Sequence, residues 1–187
     1  MLDNKITLPE ITPTIINFGD NKPQLSKKEV KQILAYAMLP PTGIDLKPVW
    51  ITAIRDFKTQ REICSLSKNV QSSSSLKPTK STVLFILSYK KDYENQPFAK
   101  NNKSLRYMYF TDLGTSMGYL EIACAKYGQG NHPFFVPPIY LNQKGHLAKY
   151  GIPSKYRPLA YLLVGPKALD TVSSATAGKR SAQYNII

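Results

Sequence analysis

A mixed chain of helices and strands, of the α/β or α+β class, is what this sequence of 187 residues predicts. Three observations carry that expectation. Two continuous apolar runs, Val83-Leu84-Phe85-Ile86-Leu87 and Ala160-Tyr161-Leu162-Leu163-Val164, have strand length and read as strands covered on both faces. Around them, apolar residues recur at helical spacing. The composition, 42% apolar and 20% charged, is that of a globular chain, and the length suits one domain or one protomer of an intimate dimer.

In chain order, residues 1–24 carry Pro9, Pro13 and Pro23 and read as an extended arm. Residues 25–187 read as a single domain with a C-terminal tail. Ser26-Lys27-Lys28-Glu29 is a capping box, after which Val30, Ile33, Leu34 and Ala37 mark one helix face. Pro40-Pro41 stops that helix. Residues 42–48 form a loop, 49–54 a strand, and about 59–66 a helix. Ser72 to Ser75 are the one low-complexity patch. The longest helical pattern covers about 105–127, with Gly128 as its C′ residue. Gly114 and Gly118 sit four apart on it. At roughly 1 kcal/mol each against Ala, they point to close packing on a helix or ligand, or to a tight core. His132 to Pro138 is an apolar segment bracketed by prolines, and 141–150 is a short helix followed by Gly151.

Several function classes drop out. No apolar stretch has signal-peptide length and none approaches a membrane span, so a cytoplasmic protein without membrane contact is expected. Cys64 and Cys124 lie in apolar helical patterns and read as small buried hydrophobes; with two histidines they make no metal-ligand set. His132 and His146 read as structural or surface residues, and no acidic pair, nucleophile elbow, Rossmann fingerprint or P-loop is present. No protein side chain is therefore assigned as catalytic. If the chain is an enzyme, a cofactor carries the chemistry. The net charge of +13 calls for an anionic partner: nucleic acid, a membrane surface or a phosphorylated small molecule.

The order of segments resembles the FMN-dependent nitroreductase family. The residues that carry the resemblance are Pro41-Thr42-Gly43-Ile44-Asp45-Leu46-Lys47-Pro48-Val49-Trp50, the long helix ending in Tyr127-Gly128-Gln129-Gly130, the stretch from Tyr150-Gly151-Ile152-Pro153 to Leu163-Val164-Gly165-Pro166, and Lys179-Arg180. The match spans about residues 25–180, and order and spacing carry it more than any single motif. It implies a three-layer α/β/α fold of α+β type, with a mixed, mainly antiparallel sheet flanked by helices. It also implies a homodimer with two flavins at the interface. The implied activity is hydride transfer from NADH or NADPH through flavin N5 to a small-molecule electron acceptor such as a nitroaromatic or quinone.

The site residues follow from the same resemblance. Thr14 keeps a hydroxyl in the arm, while Pro13 and Ile16 stand where arginines are usual. Thr42, Gly43, Asp45 and Lys47 meet the flavin ring; Asp45 and Lys47 replace an amide pair, and a carboxylate acceptor beside an ammonium donor still suits the pyrimidine edge. Lys77, with Lys80 as alternative, approaches N1/O2, where a cation favours negative charge on the ring. Pro133, Phe134 and Phe135 match the segment whose backbone faces N5. Lys179 and Arg180 fall on the phosphate. Two other readings stay open. One is a degenerate flavin-binding relative without catalysis. The other is a nucleic-acid binder, since residues 55–106 hold eleven basic residues against four acids, with Tyr89, Tyr93 and Phe98 interleaved. Those charges share no helix face and no recognition motif is legible, so nucleic acid is not the expected partner.

Overall fold

A computed structural model describes residues 17–41, 48–66, 77–97, 100, 108–134, 139–142 and 145–168. The helices are α1 (Lys27–Ala37), α2 (Phe57–Leu66), α3 (Met108–Lys126) and the short α4 (His146–Lys149). The strands are β1 (Val49–Ile54), β2 (Val83–Lys90), β3 (Gly130–Phe134) and β4 (Tyr156–Gly165). They form a sheet in the order β1-β2-β4-β3, with every neighbouring pair antiparallel.

Helices cover both faces, which gives three layers. Strand side chains alternate between faces. Val83, Phe85 and Leu87 of β2 and Ala160, Leu162 and Val164 of β4 therefore join Val30, Ile33 and Ala37 of α1 and Leu113, Met117 and Leu120 of α3 in one core. Leu84, Ile86, Tyr161 and Leu163 join Ile63 and Cys64 of α2, with Phe18, Tyr150 and Ile152, in a second core. Two covered faces explain why β2 and β4 read as unbroken apolar runs in an antiparallel sheet, where alternation is the commoner pattern.

Local signals account for most boundaries. The capping box forms as read: the Glu29 amide donates to Ser26 Oγ at 3.2 Å, and the Ser26 amide donates to Glu29 Oε2 at 2.7 Å. α2 begins at Phe57, two residues before the expected start, because Asp56 is its N-cap. Asp56 Oδ2 accepts from the Thr59 amide at 2.8 Å and the Thr59 hydroxyl at 2.7 Å. Gly128, at φ +66, closes α3: its amide meets Ala125 O, while the Gln129 amide reaches back to Cys124 O. Gly151, at φ +70, ends α4 in the same manner.

Three elements differ from expectation. β3 lies where only an apolar, proline-bracketed segment was read. Pro133 is tolerated in it because β3 is an edge strand among the described residues, where a missing amide need cost no ladder bond. The expected helix over 141–150 is reduced to a 3₁₀ turn, Ile139–Asn142, and to α4, which starts after Gly145 at φ +89. β4 begins four residues early, at Tyr156; Pro158 lies opposite Ser88, at a register shift between Leu87 and Ser88, so its ring is absorbed at an irregularity. Gly114 and Gly118 face open space: a Cβ at either would meet nothing within 4 Å among the described residues, so neither serves a tight core.

Candidate functional site

Three segments distant in sequence meet at the Val83 end of β2. The Gly19 amide donates to Pro166 O at 2.9 Å, and Phe18 bridges to Lys167. The Thr79 hydroxyl donates to Gly19 O at 3.1 Å, and the Ser81 hydroxyl to Lys22 O at 2.6 Å. The approach is close enough to demand glycine at Gly165, where a Cβ would lie 2.7 Å from Thr82 Cγ2 and 3.1 Å from the Phe18 ring. Beneath the junction lies a buried amide network. Gln24 Nε2 donates to Arg55 O and Thr82 O, each at 2.7 Å; Gln60 Nε2 donates to the same carbonyls at 3.1 and 2.8 Å. The Thr82 hydroxyl reaches Gln60 Oε1 at 2.7 Å.

Lys77 and Lys80 flank this junction on the turn entering β2. Both are exposed, and neither forms an ion pair among the described residues. Asp20 lies across the turn, its Oδ1 accepting from the Ser81 amide at 3.1 Å. The Thr79 side chain does most to hold the Asp20 carboxyl below its ordinary range; burial opposes it, and Ser81 and the Lys80 amide add to the lowering.

The opposite end of β2 carries the exit of the 42–47 loop, where the Lys90 amide donates to Pro48 O at 2.9 Å. Eight extended residues separate the two ends by roughly 24 Å. Pro133 and Phe134 lie partway along, opposite Leu162 and Tyr161. Phe134 is only 5% exposed and its ring stacks on Tyr161, with centroids 6.2 Å apart, so it belongs to the core. Thr14, Thr42, Gly43, Asp45, Lys47, Phe135, Lys179 and Arg180 lie outside the described residues.

A further cluster escaped the sequence reading. Lys149 Nζ and the Tyr150 hydroxyl (2.9 Å) both donate to Glu62 Oε1, clasping α4 to α2. No local pattern links partners 87 and 88 residues apart. Lys149 and then Tyr150 hold the Glu62 carboxyl below the usual glutamate range. A depressed folded value means that the clasp adds stability above the unfolded glutamate value, about pH 4.3, and loses it as pH falls further. Glu62→Gln is expected to lower Tm modestly at pH 7 and to leave it nearly unchanged at pH 3, which flattens the acid limb of a plot of Tm against pH; an unchanged acid limb would remove Glu62 from acid stability.

Cys64 and Cys124 are both buried and free, as read. Burial pushes the Cys64 thiol up to about 12 and raises Cys124 as well. His132 is half-buried on β3, and the His146 ring stands edge-on to Tyr150. Among the described residues no three His, Cys, Asp or Glu side chains group as metal ligands, and no helix is long and apolar enough to cross a membrane.

No family model and no curated protein matches the sequence. Solved structures do match in fold. A nitroreductase with bound FMN from Bacteroides fragilis superposes with a TM-score of 0.69 at 14% identity, over 94% of this chain and 95% of that one. An FMN-dependent nitroreductase from Clostridium difficile gives 0.64 at 14% identity, over 96% and 98%. The NfrA1 nitroreductase of B. subtilis gives 0.60 at 19% identity, over 83% of this chain and 63% of its own. The chain has the nitroreductase fold, as the order of its segments implied.

Proposed function

We propose that this chain is an FMN-dependent NAD(P)H oxidoreductase of nitroreductase type, cytoplasmic and working as a homodimer. FMN, when bound, supplies hydride transfer from NADH or NADPH to a nitroaromatic, quinone or related acceptor. The observation that carries the reading is the separation of the two predicted ring-binding groups. Pro48, which closes the 42–47 loop, and the turn that carries Lys77 stand at opposite ends of β2, roughly 24 Å apart. In the homodimer we propose, each copy gives its loop to the flavin held at the partner's Lys77 end.

The chain's own residues fit that assignment in kind. Lys77 is an exposed cation with no described carboxylate partner, available to the electron-rich N1/O2 edge. β3 is an edge strand among the described residues, with His132 and Pro133 its partly exposed positions, and in this reading the ring lies along it. Asp45 and Lys47 read the pyrimidine edge, Thr14 keeps the arm's hydroxyl contact, and Lys179 and Arg180 hold the phosphate.

The test is direct. Purified protein is expected to be yellow, or to turn yellow with FMN, and to bleach anaerobically with NADH or NADPH. Lys179→Ala with Arg180→Ala is expected to weaken FMN binding about tenfold or more. A colourless protein that FMN fails to stabilise thermally would overturn the reading. Tight binding without bleaching would identify a non-catalytic flavin-binding relative. Salt-sensitive retention on DNA without flavin binding would favour the nucleic-acid reading.

A further inference from the structure

We propose that the open cleft between α1 and α3 binds a planar aromatic anion, with an aromatic carboxylate as the ligand class. The cleft has a volume of about 550 Å³, within the range of clefts that hold small organic ligands. It includes none of the residues assigned to the flavin. Ile33 and Ala123 line it from the core, and Ile122 extends the apolar wall. Two tyrosines border it. The Tyr36 ring of α1 rests against Tyr119 of α3, with centroids 5.5 Å apart and planes tilted by 33°. The Tyr127 hydroxyl, just past α3, donates to Gln32 Oε1 of α1 at 2.6 Å. Both contacts join one side of the cleft to the other, so its walls are set before a ligand enters and little ordering cost is left.

The chemistry of the lining selects the ligand. Tyr36 remains 41% exposed, which leaves aromatic surface for a planar ring to stack on. The side-chain nitrogens at the cleft are donors. Gln32 Oε1 already accepts from Tyr127, while its Nε2 has no partner among the described residues. Lys126, exposed in the last turn of α3, makes no ion pair among them, and no described Asp or Glu lines the cleft. An ammonium and an amide beside an apolar wall suit a ligand with an anionic oxygen at one end and a flat apolar body at the other. A bare phosphate would meet the same donors, but the apolar wall offers its remaining oxygens no replacement for water. An aromatic carboxylate uses both halves of the site.

The proposal goes beyond the flavin reading and does not depend on it. 2-Naphthoate is titrated calorimetrically into the full chain, with 2-naphthamide as the uncharged comparison and octanoate as the non-planar one. The natural chain is expected to bind naphthoate about tenfold more tightly than either. Lys126→Gln is expected to lose that preference over the amide while binding the amide unchanged. Ile122→Trp, which fills the cleft, is expected to abolish binding of all three. No saturable naphthoate binding below about 1 mM, or equal naphthoate affinity in Lys126→Gln and the natural chain, would overturn the proposal. Octanoate bound as tightly as naphthoate would overturn the planar ligand class. If Ile122→Trp does not fold, the comparison with Lys126→Gln, which alters one exposed side chain, decides alone. Displacement of naphthoate by saturating FMN would put the probe in the flavin site, and affinity that falls as the chain self-associates would give the cleft to a second copy; either result overturns the proposal. FMN titrated into the same samples tests the flavin reading separately, so the failure of one is distinguishable from the failure of the other.

Discussion

Phe85→Ala is expected to lower the unfolding free energy by about 3–5 kcal/mol. Phe85 is fully buried on β2, between β1 and β4, beneath the helices α1 and α3. Truncation removes the ring's transfer free energy and leaves a cavity that paired strands on both sides keep from collapsing. Urea unfolding followed by circular dichroism measures it, with exposed Lys28→Ala as a control expected within about 0.5 kcal/mol of the natural chain. A loss under about 1.5 kcal/mol for Phe85→Ala would mean that β2 is not the centre of the core.

The second large effect lies in the buried amide network. Gln60 is fully buried and shares both of its acceptors, Arg55 O and Thr82 O, with Gln24. Gln60→Leu keeps the bulk but removes the donor to Arg55 O and Thr82 O and the Oε1 that accepts from the Thr82 hydroxyl, an expected cost of about 2–3 kcal/mol. Gln24→Ala alone is expected to cost less, about 1 kcal/mol, because Gln60 still satisfies both carbonyls. The double variant is expected to lose more than the sum, since two carbonyls then have no side-chain donor. Strict additivity in a double-mutant cycle would show that the two amides do not share acceptors.

Much of the fold was legible because its signals are local. A capping box needs four residues, a Schellman end needs a glycine with positive φ, and an apolar run of strand length declares a strand with two covered faces. α1 and the close of α3 followed from such signals, and β1 was read with its observed bounds. The errors have local causes too. Asp56 was not read as a cap, and prolines at 133 and 158 hid an edge strand and the early part of β4. The site was less legible. Lys77 was chosen on resemblance, whereas Asp20, Gln24, Gln60 and the Glu62–Lys149–Tyr150 clasp carry no pattern in sequence. Their partners are separated by 22 to 88 residues, except for the short-range bond from Gln60 to Arg55.

The net charge of +13 shows the same division. In bulk it named an anionic partner and nothing more. The tertiary structure brings Asp20 to the Ser81 amide at one end of β2, and it sets Pro48 at the far end of the same strand. Periodicity, caps and breakers act over a few residues, so the sequence alone determined the class, most elements and the resemblance that proved right in fold. Which elements share an end of the sheet depends on strand pairing across dozens of residues, where closure entropy, register and burial decide together. Only the folded chain determined that Pro48 and the turn entering β2 stand at opposite ends of that strand, and that the Asp20 carboxylate accepts from the Ser81 amide.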